Sequence, residues 1–210
     1  MTSTTSTASP TGWAVSLMES LGGPGAGAAI ALENLFPPIP SEVVLPLAGF
    51  TASRGELGLV EVLAWTTAGS LVGALVLYAL GAFLGRRRLR AVVDRLPLVR
   101  LDDLDRAEAW FDRHGGAAVF LGRFVPVVRS LVSVPAGVAR MPLARFALLT
   151  TVGSGLWNTA FVLAGYGLGA NWQHVETWVS MYSRGVVLAA GMLVVAFAVT
   201  RIRGRASTAG

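Results

Sequence analysis

Residues 33–46 read ENLFPPIPSEVVLP. Two carboxylates, Glu33 and Glu42, and four prolines, Pro37, Pro38, Pro40 and Pro46, stand among Leu, Phe, Ile and Val. Proline removes a backbone donor and clashes with the preceding helical turn, and an ionised carboxylate is costly in hydrocarbon. A continuous membrane helix tolerates neither feature, and a water-exposed loop has no use for so many apolar residues. The stretch asks for a backbone that is broken yet buried.

Its surroundings supply the setting. Of 210 residues, 53% are hydrophobic and 14% charged, with mean hydropathy +0.61, whereas a soluble domain carries about a quarter charged residues. The chain reads as a single integral membrane domain. Without cysteine there is no disulfide framework, thiolate metal site or thiol nucleophile. The two histidines, His114 and His174, are far apart, so neither a metal nor a cofactor is expected. Residues 1–12, MTSTTSTASPTG, lack the positive start and apolar run of a secretory signal and read as a disordered tail.

Outward from the opening stretch, residues 13–35 are apolar but interrupted by Glu19 and by GGPGAG (22–27), the pattern of a broken helix or two short ones. Residues 57–85 form a long apolar run, ample for a crossing that needs about 20 residues. Residues 86–114 are highly charged, with Leu101, Leu104, Trp110 and Phe111 spaced for an amphipathic helix on the membrane surface that ends near His114. Residues 115–140 turn apolar again around Arg123, Pro126, Arg129 and Pro135, and 143–169 make a second long span. A Trp-rich interfacial stretch, NWQHVETWVSMYS, leads to a shorter last span at 185–200 and a tail at 203–210. Arginines crowd 86–113 and close the chain at Arg201, Arg203 and Arg205, whereas the two candidate outer loops hold only Arg54 and Arg184, which places the 86–114 loop and the C-terminus in the cytoplasm.

A repeat lies within the two long spans. At a single shift of 84, TTAGS (66–70) falls on TTVGS (150–154), Gly81 on Gly165 and Gly85 on Gly169. Upstream, PLAGF (46–50) resembles PAGV (135–138). Each half thus reads as a proline-rich motif followed by a long span, and the two spans run in opposite directions. Such inverted-topology repeats with discontinuous helices are common in secondary transporters. The opening stretch then finds its place: too short to cross and return, it fits a re-entrant hairpin over about 33–56, matched by a second over about 115–140. Pro37, Pro38, Pro40, Pro126 and Pro135 are the expected breaks, and broken backbone at that depth must be buried in protein or line a cavity.

Two tips meeting would bring Glu33 and Glu42 against Arg123 and Arg129. Guanidinium groups grip phosphate with paired donors, and intramembrane carboxylates serve proton relays. Arg123 and Arg129 are therefore the candidate phosphate-binding residues, with Glu33 and Glu42 coupling protons and gating. Buried salt bridges that merely lock the hairpins are the plainer alternative. Asn158 and the pairs Thr66/Thr67 and Thr150/Thr151 are expected to satisfy interhelical hydrogen bonds. A hydrolase would need a base beside its serine, and no histidine falls in a span, so no enzymatic activity is expected.

These residues resemble the DedA family, also called the VTT or SNARE-associated domain family, over roughly 30–170. The resemblance rests on ENLFPPIPSE (33–42), on FLGRFVPVVRSLVSVPAGVARM (120–141), and on Gly153, Trp157 and GYGLG (165–169). It implies a bacterial plasma-membrane protein of lipid transport, with the family's essential acidic pair on Glu33 and Glu42 and its arginine pair on Arg123 and Arg129. Thr150 stands where many members have Asn, and Glu42 replaces the aspartate of some.

The expectation is an all-α polytopic membrane protein with two opposed re-entrant hairpins in an inverted repeat plus transmembrane helices. It would move a phosphate-headed lipid, undecaprenyl or another polyprenyl phosphate, from outer to inner leaflet for carrier-lipid recycling, driven by the proton motive force. Its partners would be the lipid phosphate, membrane lipids, protons or sodium, and a second copy of the chain, but no nucleic acid. A less selective phospholipid scramblase, a proton-coupled exporter of small cations, and a scaffold without transport are the alternatives.

Overall fold

The computed structural model describes residues 12–35, 41–94, 101–126, 128–168 and 192. The expected N-terminal tail to residue 11, Pro37, Pro38, Pro40, the stretch after 168 with the last span (Met192 apart) and the C-terminal tail lie outside the described residues. Among the described residues the chain is helical, without strands: α1 Gly12–Leu21, α2 Gly23–Leu35, α3 Ser41–Ser53, α4 Leu59–Asp94, α5 Leu101–Gly122, α6 Val128–Leu131, α7 Ser133–Val138 and α8 Leu143–Leu168. Only α4 and α8 among them are long and apolar enough to cross a membrane. Val72, Val76, Leu80 and Phe83 on α4, and Leu148, Val152, Leu156 and Leu163 on α8, face outward. Apolar faces of that length suit contact with lipid chains, not water.

The N-terminal segment is two helices, as its glycines suggest: Gly22, at φ +63, separates α1 from α2 in a conformation that glycine adopts at little cost. From there α2 runs alongside α4. A Cβ on Gly23 would meet Glu61 and Trp65 in the first turns of α4, while the side chain of Asn34 at the far end reaches Ser70 in its middle. After the break, α3 leads through 54–58 straight into the start of α4. Helices α2 and α3 therefore form a pair in which α2 ends toward the middle of α4 and α3 returns to its beginning.

Helices α5 to α7 repeat this relation against α8. Gly116 of α5 lies against Arg145 near the start of α8, and Arg123 reaches Thr150 and Gly153 further along it. The return limb, α6 and α7, feeds α8 through a tight turn at Arg140, φ 51. Pro135, an expected hairpin break, is the third residue of α7; with no N–H for the carbonyl of Leu131 and a ring that crowds it, it divides the return limb into α6 and α7. Pro126 does lie in the break between α5 and α6.

One expectation fails locally. His114 does not end a helix: α5 continues through His114, Gly115 and Gly116 to Gly122. Neither glycine has a positive φ. They serve close approach instead, since a Cβ on Gly116 would lie 2.6 Å from Arg145 Nη2 and one on Gly115 2.9 Å from the Phe111 ring. The stretch expected to be a short surface helix is thus the first part of a longer one. Arg86 to Asp112 (3.0 Å) and Arg90 to Asp105 join the end of α4 to α5, which puts the end of α4 and the start of α8 at one end of the molecule.

Two crossings without side chains between them tie the halves together. Gly49 of α3 abuts the carbonyl of Val162 on α8, and Gly165 abuts that of Pro46; a Cβ at either would sit 2.0 Å from the oxygen. On the other side Gly137 of α7 abuts Tyr78 on α4 (2.0 Å) and Gly81 abuts Val134 (2.2 Å). Each contact of the first crossing maps on one of the second when α4 is shifted by 84 onto α8 and α3 by 88 onto α7. Each return limb therefore packs on the long helix of the opposite half.

Candidate functional site

Four buried charged residues flank the two gaps between helices α2 and α3 and between α5 and α6. Glu33 sits in the last turn of α2 and Glu42 in the first turn of α3, flanking one break; Arg123 follows α5 and Arg129 is the second residue of α6, flanking the other. Their relative exposures are 5, 6, 1 and 4% respectively. Burial of this many charges is unfavourable unless they are paired or solvated by polar groups, and the pairing is specific.

Glu33 Oε1 stands 3.8 Å from Arg129 Nη2, so the end of α2 and the start of α6 meet through opposite charges. Beside them Ser130 donates to Asn34 Oδ1 at 3.2 Å. Asn34 in turn donates to the carbonyls of Ile30 (3.2 Å) and Ser70 (3.4 Å), and Asn158 of α8 donates to Ser70 Oγ at 3.2 Å. Both breaks and both long helices are joined by this one buried chain of small polar groups.

Arg123 occupies a different setting. Its Nη1 donates to the backbone carbonyl of Arg129 at 2.7 Å, and Nη2 donates to Ser133 Oγ (3.1 Å) and Thr150 Oγ1 (3.0 Å). The stem lies over Gly153, where a Cβ would come within 3.1 Å of Arg123 Cγ, and the guanidinium stands 5.8 Å from the Phe146 ring centroid. Arg123 thus ties the broken backbone at Arg129 to α7 and α8. The two arginines that the sequence presents as a pair are not equivalent: one grips its own protein, the other faces a carboxylate across the gap.

Glu42 is buried in the first turn of α3, where the helix dipole favours a carboxylate; no described residue bonds its side chain. Asn34, Ser70, Ser130 and Ser133 are members of the site that sequence reading passed over, being small polar residues in apolar runs. Thr150 was expected to satisfy an interhelical bond and receives Arg123, whereas its counterpart Thr66 bonds the carbonyl of Val62 in its own helix (2.7 Å). A cavity of about 400 Å³ lies elsewhere, between α1, the end of α3 and the 54–58 connection, lined by Glu19, Phe50, Arg54 and Glu56 among others.

The VTT domain model matches residues 39–167, which include the second limb of the first pair, both long helices and the whole second pair. This chain belongs to the DedA family of VTT-domain membrane proteins. Among its DedA-family relatives is the protein of Lactococcus lactis subsp. cremoris (strain MG1363) named alkaline phosphatase-like protein, 43% identical over 183 residues, covering 85% of this chain and 86% of the relative. Undecaprenyl phosphate transporter A of Bacillus subtilis (strain 168) is 33% identical over 176 residues, 84% of this chain and 88% of that protein. Protein DedA of Escherichia coli (strain K12) is 30% identical over 135 residues, 63% of this chain and 61% of its own length. No solved structure matches the chain.

Proposed function

We propose that this DedA-family protein carries a phosphate-headed lipid, undecaprenyl or another polyprenyl phosphate, from the outer to the inner leaflet of the bacterial plasma membrane, with proton uptake coupled to the transfer. The observation that carries the reading is the contact between Glu33 and Arg129 where the two breaks meet. A guanidinium placed there has two alternative partners, a carboxylate of the protein or a phosphate of the lipid. Arg129 offers the phosphate a two-pronged donor set, while protonation of Glu33 removes its competing charge. Lipid phosphate and proton thus enter together, and Glu42, buried on the other side of the same break, is the second carboxylate of the gate. Arg123 keeps Arg129 in place through the carbonyl bond.

In this reading the two helix pairs are re-entrant hairpins in an inverted-topology repeat, entering from opposite faces. The matched glycine crossings support it, as does the shared end of α4 and α8. The arginines at the end of α4 then mark the cytoplasmic side. The relatives named undecaprenyl phosphate transporter A support the choice of lipid. Phosphate-ester hydrolysis, which the lactococcal name raises, lacks support here: Ser130, next to Arg129, donates its proton to an amide oxygen, which is no base to activate it.

Proteoliposomes holding the protein test the proposal. Undecaprenyl phosphate should cross faster than ordinary phospholipids, and faster still with an imposed proton gradient. Arg129→Lys, which keeps the charge and loses the fork, should slow transfer at least tenfold while the protein still inserts. Glu33→Gln should abolish the response to the gradient. Equal rates for all lipids would make the protein a scramblase, and a response to sodium instead of protons would replace the coupling ion.

A further inference from the structure

Trp157 lies near the middle of α8, one turn beyond Gly153, on which the stem of Arg123 rests. Tryptophan in membrane proteins favours the interfaces, where its N–H can reach water or headgroups. Here the ring packs against Phe161 (centroids 4.6 Å) and edge-to-face against Phe124 (6.3 Å), the residue after Arg123 in the second break. Its Nε1 is buried and has no hydrogen-bond partner among the described residues.

An indole N–H only donates, and a buried donor left unmade is unfavourable by more than an ordinary hydrogen bond contributes. Phenylalanine would fill the aromatic stack without that cost, so packing alone gives the nitrogen no use. A second buried donor without a partner, Arg123 Nε, belongs to the residue joined to Phe124. One of these donors belongs to a ring packed on Phe124 and the other to the residue before it in sequence, and an acceptor-rich group would suit each. Asn158 Oδ1, a buried acceptor likewise without a partner, belongs to the side of α8 that faces α4, where the same amide donates to Ser70.

We infer that the indole N–H of Trp157 is a donor to the phosphate group of the transported ligand, holding it at the second break alongside Arg129. The inference rests on the carrier reading above and adds a residue that recognises the acceptor oxygens without charge. It also gives the mid-membrane tryptophan a role distinct from that of the arginines: a donor that no carboxylate of the protein occupies when the ligand is absent.

The full-length protein labelled with ¹⁵N-tryptophan in nanodiscs tests it. Its six indole signals are recorded with undecaprenyl phosphate, with undecaprenol and with inorganic phosphate, and that of Trp157 is identified by its loss in Trp157→Phe. Should this variant not fold, replacing the other five in turn identifies the signal by elimination. The Trp157 proton should move downfield with undecaprenyl phosphate and stay in place with the alcohol. Movement with inorganic phosphate as well would show that the headgroup alone suffices, in keeping with the inference. Trp157→Phe should bind the lipid phosphate about tenfold more weakly, the effect of losing one hydrogen bond to a charged group. Tight binding to wild type with an unmoved Trp157 signal and unchanged affinity in the variant would overturn the inference and leave the carrier reading standing. Equal binding of undecaprenyl phosphate and undecaprenol by wild type would overturn both.

Discussion

The two glycine crossings are alike in every contact, while the two breaks they support differ in charge. At the crossings Gly49 and Gly165 do for α3 and α8 what Gly137 and Gly81 do for α7 and α4. At the breaks one side brings Glu33 and Glu42 and the other Arg123 and Arg129. Backbone contacts can be duplicated because they do not depend on which side chains lie beyond them. Buried charges cannot: two acidic ends or two basic ones would repel in a setting where each ion already needs a partner. Likeness in the frame and opposition at the centre both suit the re-entrant reading proposed above.

Bulk at the crossings should break the comparison most severely. Gly165→Leu and Gly81→Leu each put a side chain where a carbonyl oxygen lies 2.0 or 2.2 Å from Cβ. A backbone cannot repack as a side chain does, so neither protein should fold in detergent, as judged by size-exclusion and thermal unfolding. Gly155→Ala, whose Cβ would find Thr67 at 3.8 Å, should melt within about 0.5 kcal/mol of wild type. Collapse of one leucine variant alone would show that the crossings differ in weight.

The contact of Glu33 with Arg129 comes next. Removing one partner from a buried ion pair costs about 3–5 kcal/mol, so Glu33→Ala and Arg129→Ala should each lower the melting temperature, and the double variant should be less damaged than the two losses added. Strict additivity would mean that Glu33 and Arg129 do not act on each other. The smallest effect sharpens the difference between corresponding threonines. Thr150→Val takes an acceptor from a buried guanidinium and should cost about 1–3 kcal/mol, whereas Thr66→Val removes only a bond to its own helix and should cost about 0.5 kcal/mol.

Long-range apolar pattern made much of the frame legible: α8 falls within a residue of its expected limits, α4 starts two residues after its expected start and runs on to Asp94, and the glycines at 22–27 announced a broken N-terminal segment. Glycine at Gly115 and Gly116 misled, because a glycine that admits Arg145 looks in sequence like one that ends a helix. Charge in an apolar run drew notice to Glu33, Glu42, Arg123 and Arg129, but composition is blind to which atoms a guanidinium meets. The division between Arg123 and Arg129 depends on Ser133, Thr150 and one backbone carbonyl. Those acceptors lie on three segments distant in sequence or hidden in the main chain.

Gly85 at φ 61 and ψ 172 sits inside α4 in a region that is essentially reserved for glycine. From Leu59 to this elbow the helix measures about 40 Å at 1.5 Å per residue, close to the depth of a bilayer with its headgroups. Beyond it Arg86 and Arg90 bond Asp112 and Asp105 of α5, while Arg88 folds back on Phe83. In the re-entrant reading proposed above, the elbow works as a depth stop. It sets the length of the rod against the thickness of the bilayer, so a change in lipid chain length is expected to bend this one joint before it disturbs the contact of Glu33 with Arg129.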